Sequence, residues 1–176
     1  MKLIAALAFL SLPAFAAEDP FAAVPANVLA YHQQLNGKRC EYGQQYADDS
    51  IGAVASAHDL GQGWTLYLVP CSMGAYQTNF QAYATNAKNP EVNHLDFIHW
   101  MGDNGPYAQD SLTNATFENG QIRSHTVYRS IGDCGEDAFY QPKVVDGWQL
   151  LVKTTVIRAK EKCDGKMNPW PVVFGK

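Results

Sequence analysis

Three glycine-bearing turns constrain this chain more than any other feature. Gly61-Gln62-Gly63, Asn119-Gly120 and Asp146-Gly147 each stand between runs with strand character. Each offers residues that tolerate the positive φ angles of tight hairpin loops. They predict hairpins joining 53–60 to 64–70, 112–118 to 121–128, and 139–145 to 148–157. Strands joined by so few residues are antiparallel. Residues 64–69 are apolar on both faces, which predicts a central strand. Residues 79–85 alternate, with Phe80, Ala82 and Ala84 opposite Asn79, Gln81 and Tyr83, which predicts one wetter side. The convincing helical signal lies in 19–37, where Pro25 can sit in a first turn. There Val28, Leu29, His32 and Leu35 recur at helical spacing before Asn36-Gly37 stops the run. The expected fold is mainly β: an antiparallel meander of about seven to nine strands with an N-terminal helix. The similar runs 63–69 and 147–152 read as coincidence rather than duplication, because the following cysteines lie at different spacings.

The N-terminus has a different character. Lys2 is followed by an apolar run over 3–15, then Ala14-Phe15-Ala16, the small-x-small pattern of signal-peptide cleavage. The run is too short to span a bilayer core of roughly 30 Å. The expected organisation is a signal peptide over 1–16, a helix and extension over 17–50, and a β domain over 51–176. No later stretch is long and apolar enough to cross a membrane, so no membrane insertion is expected after cleavage. The expected location is periplasmic or secreted. A net charge of −4 argues against nucleic acid or an anionic membrane as partner.

Export shapes how the cysteines are understood. Cys40, Cys71, Cys134 and Cys163 are even in number, far apart and without a C-x-x-C pair, which favours two disulfides over a metal or redox site. The expected pairing is Cys40–Cys71 with Cys134–Cys163. These bonds close loops of about thirty residues, whereas each alternative includes a loop of more than about ninety. The hairpin at Asp146-Gly147 also returns the chain from Cys134 toward Cys163. Ideal pairing puts the partner of Cys134 near residue 159, an overshoot that a bulge can absorb.

Four ordered blocks carry a family resemblance. They are Val69-Pro70-Cys71-Ser72-Met73-Gly74-Ala75-Tyr76, Gly132-Asp133-Cys134-Gly135, Asp146-Gly147-Trp148, and Cys163-Asp164-Gly165. Together they resemble the bacterial domain-of-unknown-function family 1176 over roughly residues 53–174. Gln77 and Ser130 depart from the pattern, which has asparagine and glycine there, and the Cys40 region has no counterpart in it. The resemblance implies an exported bacterial protein, agrees with the cysteine assignment and carries no catalytic residues. Turn glycines and disulfides explain most of the matched positions. A functional alternative is that the first two blocks meet and line one groove.

Candidate chemistry is sparse. Ser56-Ala57-His58-Asp59 holds the residue types of a nucleophilic triad, but a strand puts Ser56 and His58 on one face and Asp59 on the other. His94 and Asp96 are weak metal candidates that would share a strand face, with His99 and His125 nearby, and they leave a zinc site incomplete. Asp103-Asn104-Gly105 reads as a turn, and Asp48-Asp49 and Glu136-Asp137 read as solvated loop charges. No phosphate loop or dinucleotide motif is present, and no cofactor is expected. Two functions remain. One is a non-enzymatic module that binds a protein or envelope component, as an inhibitor or immunity protein does. Its candidate surface is Met73, Tyr76 and the loop from Trp100 to Tyr107. The alternative is an envelope hydrolase or metal-dependent enzyme, which convergence of the histidines with carboxylates in one hollow would favour.

Overall fold

A computed structural model describes residues 19–36, 53–74, 76–145 and 147–175. The expected signal peptide, Cys40 and Asp48-Asp49 lie outside the described residues, and so do Ala75 and Asp146. Twelve strands are present among the described residues, more than the pattern predicted, because several are only three or four residues long. They form two antiparallel five-stranded sheets and a two-stranded ribbon rather than one meander.

The first sheet runs β1 (Ser56–Gly61), β2 (Trp64–Met73), β3 (Thr78–Asn86), β4 (Asn89–His94), with β7 (Ser111–Thr113) also on β3. β3 changes partner along its length, taking β7 at Asn79–Gln81 and β4 from Tyr83 onward. The second sheet runs β12 (Val172–Gly175), β11 (Gln149–Lys160), β10 (Gly135–Val145), β9 (Gln121–Val127), β8 (Thr116–Glu118). Their facing sides share one core, with Leu66 and Leu68 of β2 and Ala82 of β3 against Ile122, Tyr140 and Ile157.

The other side of the first sheet carries α1 (Ala26–Asn36), whose Val28 packs with Val24, Tyr67, Val69 and Tyr83. This layering of helix, sheet and sheet buries β2 on both faces, as its sequence predicts. It also corrects the expected wetter side of β3. Tyr83 is 0% exposed, because α1 and β4 cover it: His32 Nδ1 bonds Tyr83 Oη at 2.8 Å, and His94 stacks on the same ring. Leu35, expected on the buried face, is exposed at the end of α1.

All three turns form where expected. Gly61, Gln62 and Gly63 take φ of 79°, 54° and 82°, and Asn119 and Gly120 take 52° and 77°. The last loop is one residue longer than a two-residue turn, since Val145 pairs with Gln149. Trp148 therefore sits in the turn, 70% exposed, whereas Trp64 starts a buried strand, so the two runs are not structural equivalents. The Gly147 carbonyl accepts from Trp64 Nε1 and Asn86 Nδ2, both at 3.4 Å, tying this hairpin tip to the first sheet.

The expected strand over 112–118 is split. At Asn114, with φ of 44°, the chain leaves β7 in the first sheet and enters β8 in the second. The Asn114 side chain makes that corner, since Oδ1 accepts from Thr78 N at 3.0 Å and Nδ2 donates to the His125 carbonyl at 3.1 Å.

Cys134 and Cys163 are bonded, with Cα atoms 5.0 Å apart. A bulge at Thr155, between the Phe139–Val156 and Tyr140–Thr154 pairs, brings Gly135 opposite Lys160 and shortens the overshoot. Of the two expected disulfides, the described residues contain this one. Cys40–Cys71 stays an expectation because Cys40 lies outside them.

Candidate functional site

The ribbon of β5 (Phe97–Trp100) and β6 (Pro106–Gln109) packs against β10 and β11 and carries the most developed polar network. Alternation along β5 sends Phe97 and His99 inward and leaves Ile98 and Trp100 half-buried. Beneath the ribbon lies Glu136 of β10, only 4% exposed. Its Oε1 meets His99 Nδ1 at 2.7 Å and its Oε2 accepts from Trp100 N at 2.6 Å. His99 Nε2 donates to the Ser111 carbonyl at 3.0 Å, so both ring nitrogens are satisfied. Tyr140 Oη donates to the Ile98 carbonyl at 3.0 Å, and Tyr107 Oη donates to Gln109 Oε1 at 3.0 Å. Gln109 Nε2 in turn donates to Ser111 Oγ. A buried acid with both oxygens bonded is held firmly, and removing one partner leaves the other uncompensated.

This corrects the expectation that Glu136 is a solvated loop charge. It stands on a strand in phase with Ala138 and Tyr140, both fully buried, so alternation turns it into the interior. That phase was visible in the sequence. The partner that makes the burial tolerable, His99, is remote in the chain and was not. Asp137, on the opposite face, binds Arg123 Nε at 2.6 Å instead.

At the tip of the ribbon, Gly102–Asn104 form a single 3-10 turn, closed by Met101 N donating to the Gly105 carbonyl at 2.9 Å. Above it opens a cleft of about 420 Å³, lined by Trp100, Tyr107, Tyr128, Met101, Asp103 and Glu161 among others. Tyr107 and Tyr128 have phenols pushed above their ordinary range, first by burial and then by the negative charge of Glu136, joined at Tyr128 by Glu161. The Glu161 carboxylate rests on Gly102 (φ 51°), where a side-chain carbon would lie 2.2 Å from its oxygen. The positive φ itself favours glycine there. Trp100 and Tyr107 were expected as surface residues; Tyr128 and Glu161 come from other loops, and no local motif marks them.

Met73 and Tyr76 line a separate hollow of about 400 Å³ with Gln77, Phe80 and Asn114. Tyr76 is exposed and Met73 half-buried. Gln77, just after the first sequence block, bonds Val127 of β9 as a strand would: Nε2 donates to the Val127 carbonyl at 2.9 Å and Oε1 accepts from Val127 N at 2.7 Å. Val127 in turn pairs with Gly135 of the second block, and the hollow at Met73 and Tyr76 is lined by no residue of that block. In the second block, buried Asp133 accepts from Arg129 Nε and from Gly165 N, both at 2.6 Å. The Arg129 guanidinium, and then the Gly165 amide, hold its carboxyl far below the usual range. Gly135 is fixed by space, since a side-chain carbon there would lie 2.0 Å from the Thr126 carbonyl oxygen.

The remaining histidines do not converge. His58 and Ser56 share a face, 2.8 Å apart, with Asp59 turned to solvent on the other side, as strand geometry predicts. Burial pushes the His58 imidazole down. His94 ends β4 and donates to Gln81 Oε1 at 2.5 Å, while Asp96 lies exposed between β4 and β5, so the two share no strand. His125 stacks on Trp170, its Nδ1 3.5 Å from Asp137 Oδ1. The metal-capable group among the described residues is Asp133 with Cys134 and Cys163. Those sulfurs are joined to each other, so they offer no thiolate.

No helix of the described residues is long and apolar enough to cross a membrane. Neither a curated protein nor a solved structure matches the chain. The family match is nearly complete and takes in the Cys40 region that the four blocks left aside: the chain belongs to the family described as protein of unknown function (DUF1176), whose model matches residues 11–175.

Proposed function

We propose that this is an exported, non-enzymatic binding module that recognises a protein or envelope component through the cleft at the tip of the β5–β6 ribbon, in the manner of an inhibitor or immunity protein. One observation carries the reading. Three aromatic side chains from separate segments (Trp100, Tyr107 and Tyr128) meet at one open cleft. Their platform is bonded to β10 through His99 and Glu136. Rigid aromatic surface of this kind loses little entropy on association, and aromatics are the usual anchors of interface cores. The disulfide and the lack of a membrane-crossing helix among the described residues are compatible with export to the periplasm or beyond. The test is capture from envelope extract by the mature, oxidised protein and by Tyr128→Ala, which alters an exposed ring and spares the core. One stoichiometric partner, captured by the parent chain and lost with Tyr128→Ala, supports the reading. A partner held equally by both contradicts it.

The alternative, an envelope hydrolase or metal-dependent enzyme, has one observation in its favour. His125 and Asp137 line a hollow of about 410 Å³ together with Arg158 and Trp170. Asp137 is already engaged by Arg123, which weakens it as an orienting acid for the imidazole. A hydrolytic activity abolished by His125→Ala in folded protein would replace the binding proposal.

A further inference from the structure

We infer that the ribbon cleft receives an alkylammonium group, carried by a lysine side chain of the partner; this rests on the proposal that the cleft is the recognition surface. The carboxylates of Asp103 and Glu161 line it, and no lysine or arginine does. Among the described residues neither carboxylate has a hydrogen-bond or ion-pair partner, a state they share with Asp96 and Asp110. Glu161 is exposed, with its carboxylate lying against Gly102 at the edge of the cleft. The rings of Trp100, Tyr107 and Tyr128 flank the same space. Aromatic side chains together with carboxylates suit a cation, which is drawn to ring quadrupoles and to negative charge. A neutral sugar could use the rings but would leave the charges unmatched. The volume of about 420 Å³ exceeds an ammonium alone and leaves room for an apolar stem along Trp100 and Met101.

The test is an NMR titration of the oxidised mature protein, following the Trp100 indole N–H. The probes are Nα-acetyl-lysine methylamide, spermidine and N-acetylglucosamine. The lysine amide is expected to shift the signal saturably, and the neutral sugar is not. Glu161→Gln, an exposed and isosteric change, is expected to weaken the lysine amide by about fivefold or more, as is added salt. Absence of a saturable shift by the lysine amide, equal binding of the sugar, or an unchanged Kd in Glu161→Gln overturns the inference. Spermidine binding far more tightly than the lysine amide overturns the assignment to a side chain in favour of a free polyamine. Failure here separates from failure of the underlying proposal. Partner capture lost with Tyr128→Ala but kept with Glu161→Gln removes the ammonium and leaves the cleft as the binding surface. Capture indifferent to both variants removes the cleft.

Discussion

Asp133 shows what one buried carboxylate does when a guanidinium reaches both of its oxygens and a backbone amide one of them. It ties Arg129 and the Gly165 amide to the loop that also carries Cys134, so the same two segments are joined by a covalent and a polar link. Its carboxyl titrates far below the ordinary 3.8. A depressed carboxyl pKa gives stability that is present above the unfolded value and lost as pH falls through the folded one. Denaturant unfolding across pH is therefore expected to show parent-chain stability declining below about pH 4, with a flatter decline and lower neutral-pH stability in Asp133→Asn. Parallel curves for the two proteins would contradict this role. The sequence places Asp133 in a matched block between a turn glycine and a cysteine, but the partners of its carboxylate are not marked by that block. The same holds for Glu136, whose strand phase was visible while His99, the residue that satisfies it, was not.

At the level of elements, the glycine turns were the most legible features, because positive φ at 61–63 and 119–120 is a local demand that few residues meet. The corner at Asn114 was not legible. Residues 112–118 read as one strand, yet the chain crosses from one sheet to the other where the Asn114 amide replaces strand partners with its own bonds to Thr78 and His125. Asn114→Ala loses both bonds and places a Cβ-bearing residue without a supporting amide at φ 44°. We expect a destabilisation of about 2–4 kcal/mol, read by chemical denaturation. Asn114→Gly relieves the backbone and not the bonds, so it is expected to fall between Asn114→Ala and the parent chain. Equal stability of all three would show that the corner is set elsewhere. The ribbon was only half visible in the sequence: Trp100 and Tyr107 stood out as aromatic, but its attachment through Glu136 and Tyr140 needs the second sheet.

Across the whole molecule, three layers share one central sheet, and the helix layer carries its own pH sensitivity. His32 of α1 faces Tyr83, and burial, then the neighbouring His94, lowers its imidazole to about 4 from 6.5. The unfolded chain takes up that proton first, so stability falls as pH drops from about 6.5 to about 4 and levels off below. His32→Gln is expected to flatten this slope in equilibrium unfolding, leaving a smaller component from His58, which is also lowered. An unchanged slope would mean the helix docks without burying the imidazole. The helix was legible from its spacing, but its seat on β3 was not, because Gln81 and Tyr83 look like a solvent face until something covers them.

The cleft as a recognition surface is tested most directly by oxidative footprinting of the protein, free and bound to its captured partner. Exposed Trp148 and Met167, at 70% and 71%, serve as internal controls away from the ribbon. Protection concentrated at Trp100, Met101 and Tyr128, with both controls still reactive, is the predicted result. Protection at Tyr76, Trp148 or Met167 with Trp100 and Tyr128 unchanged would contradict it.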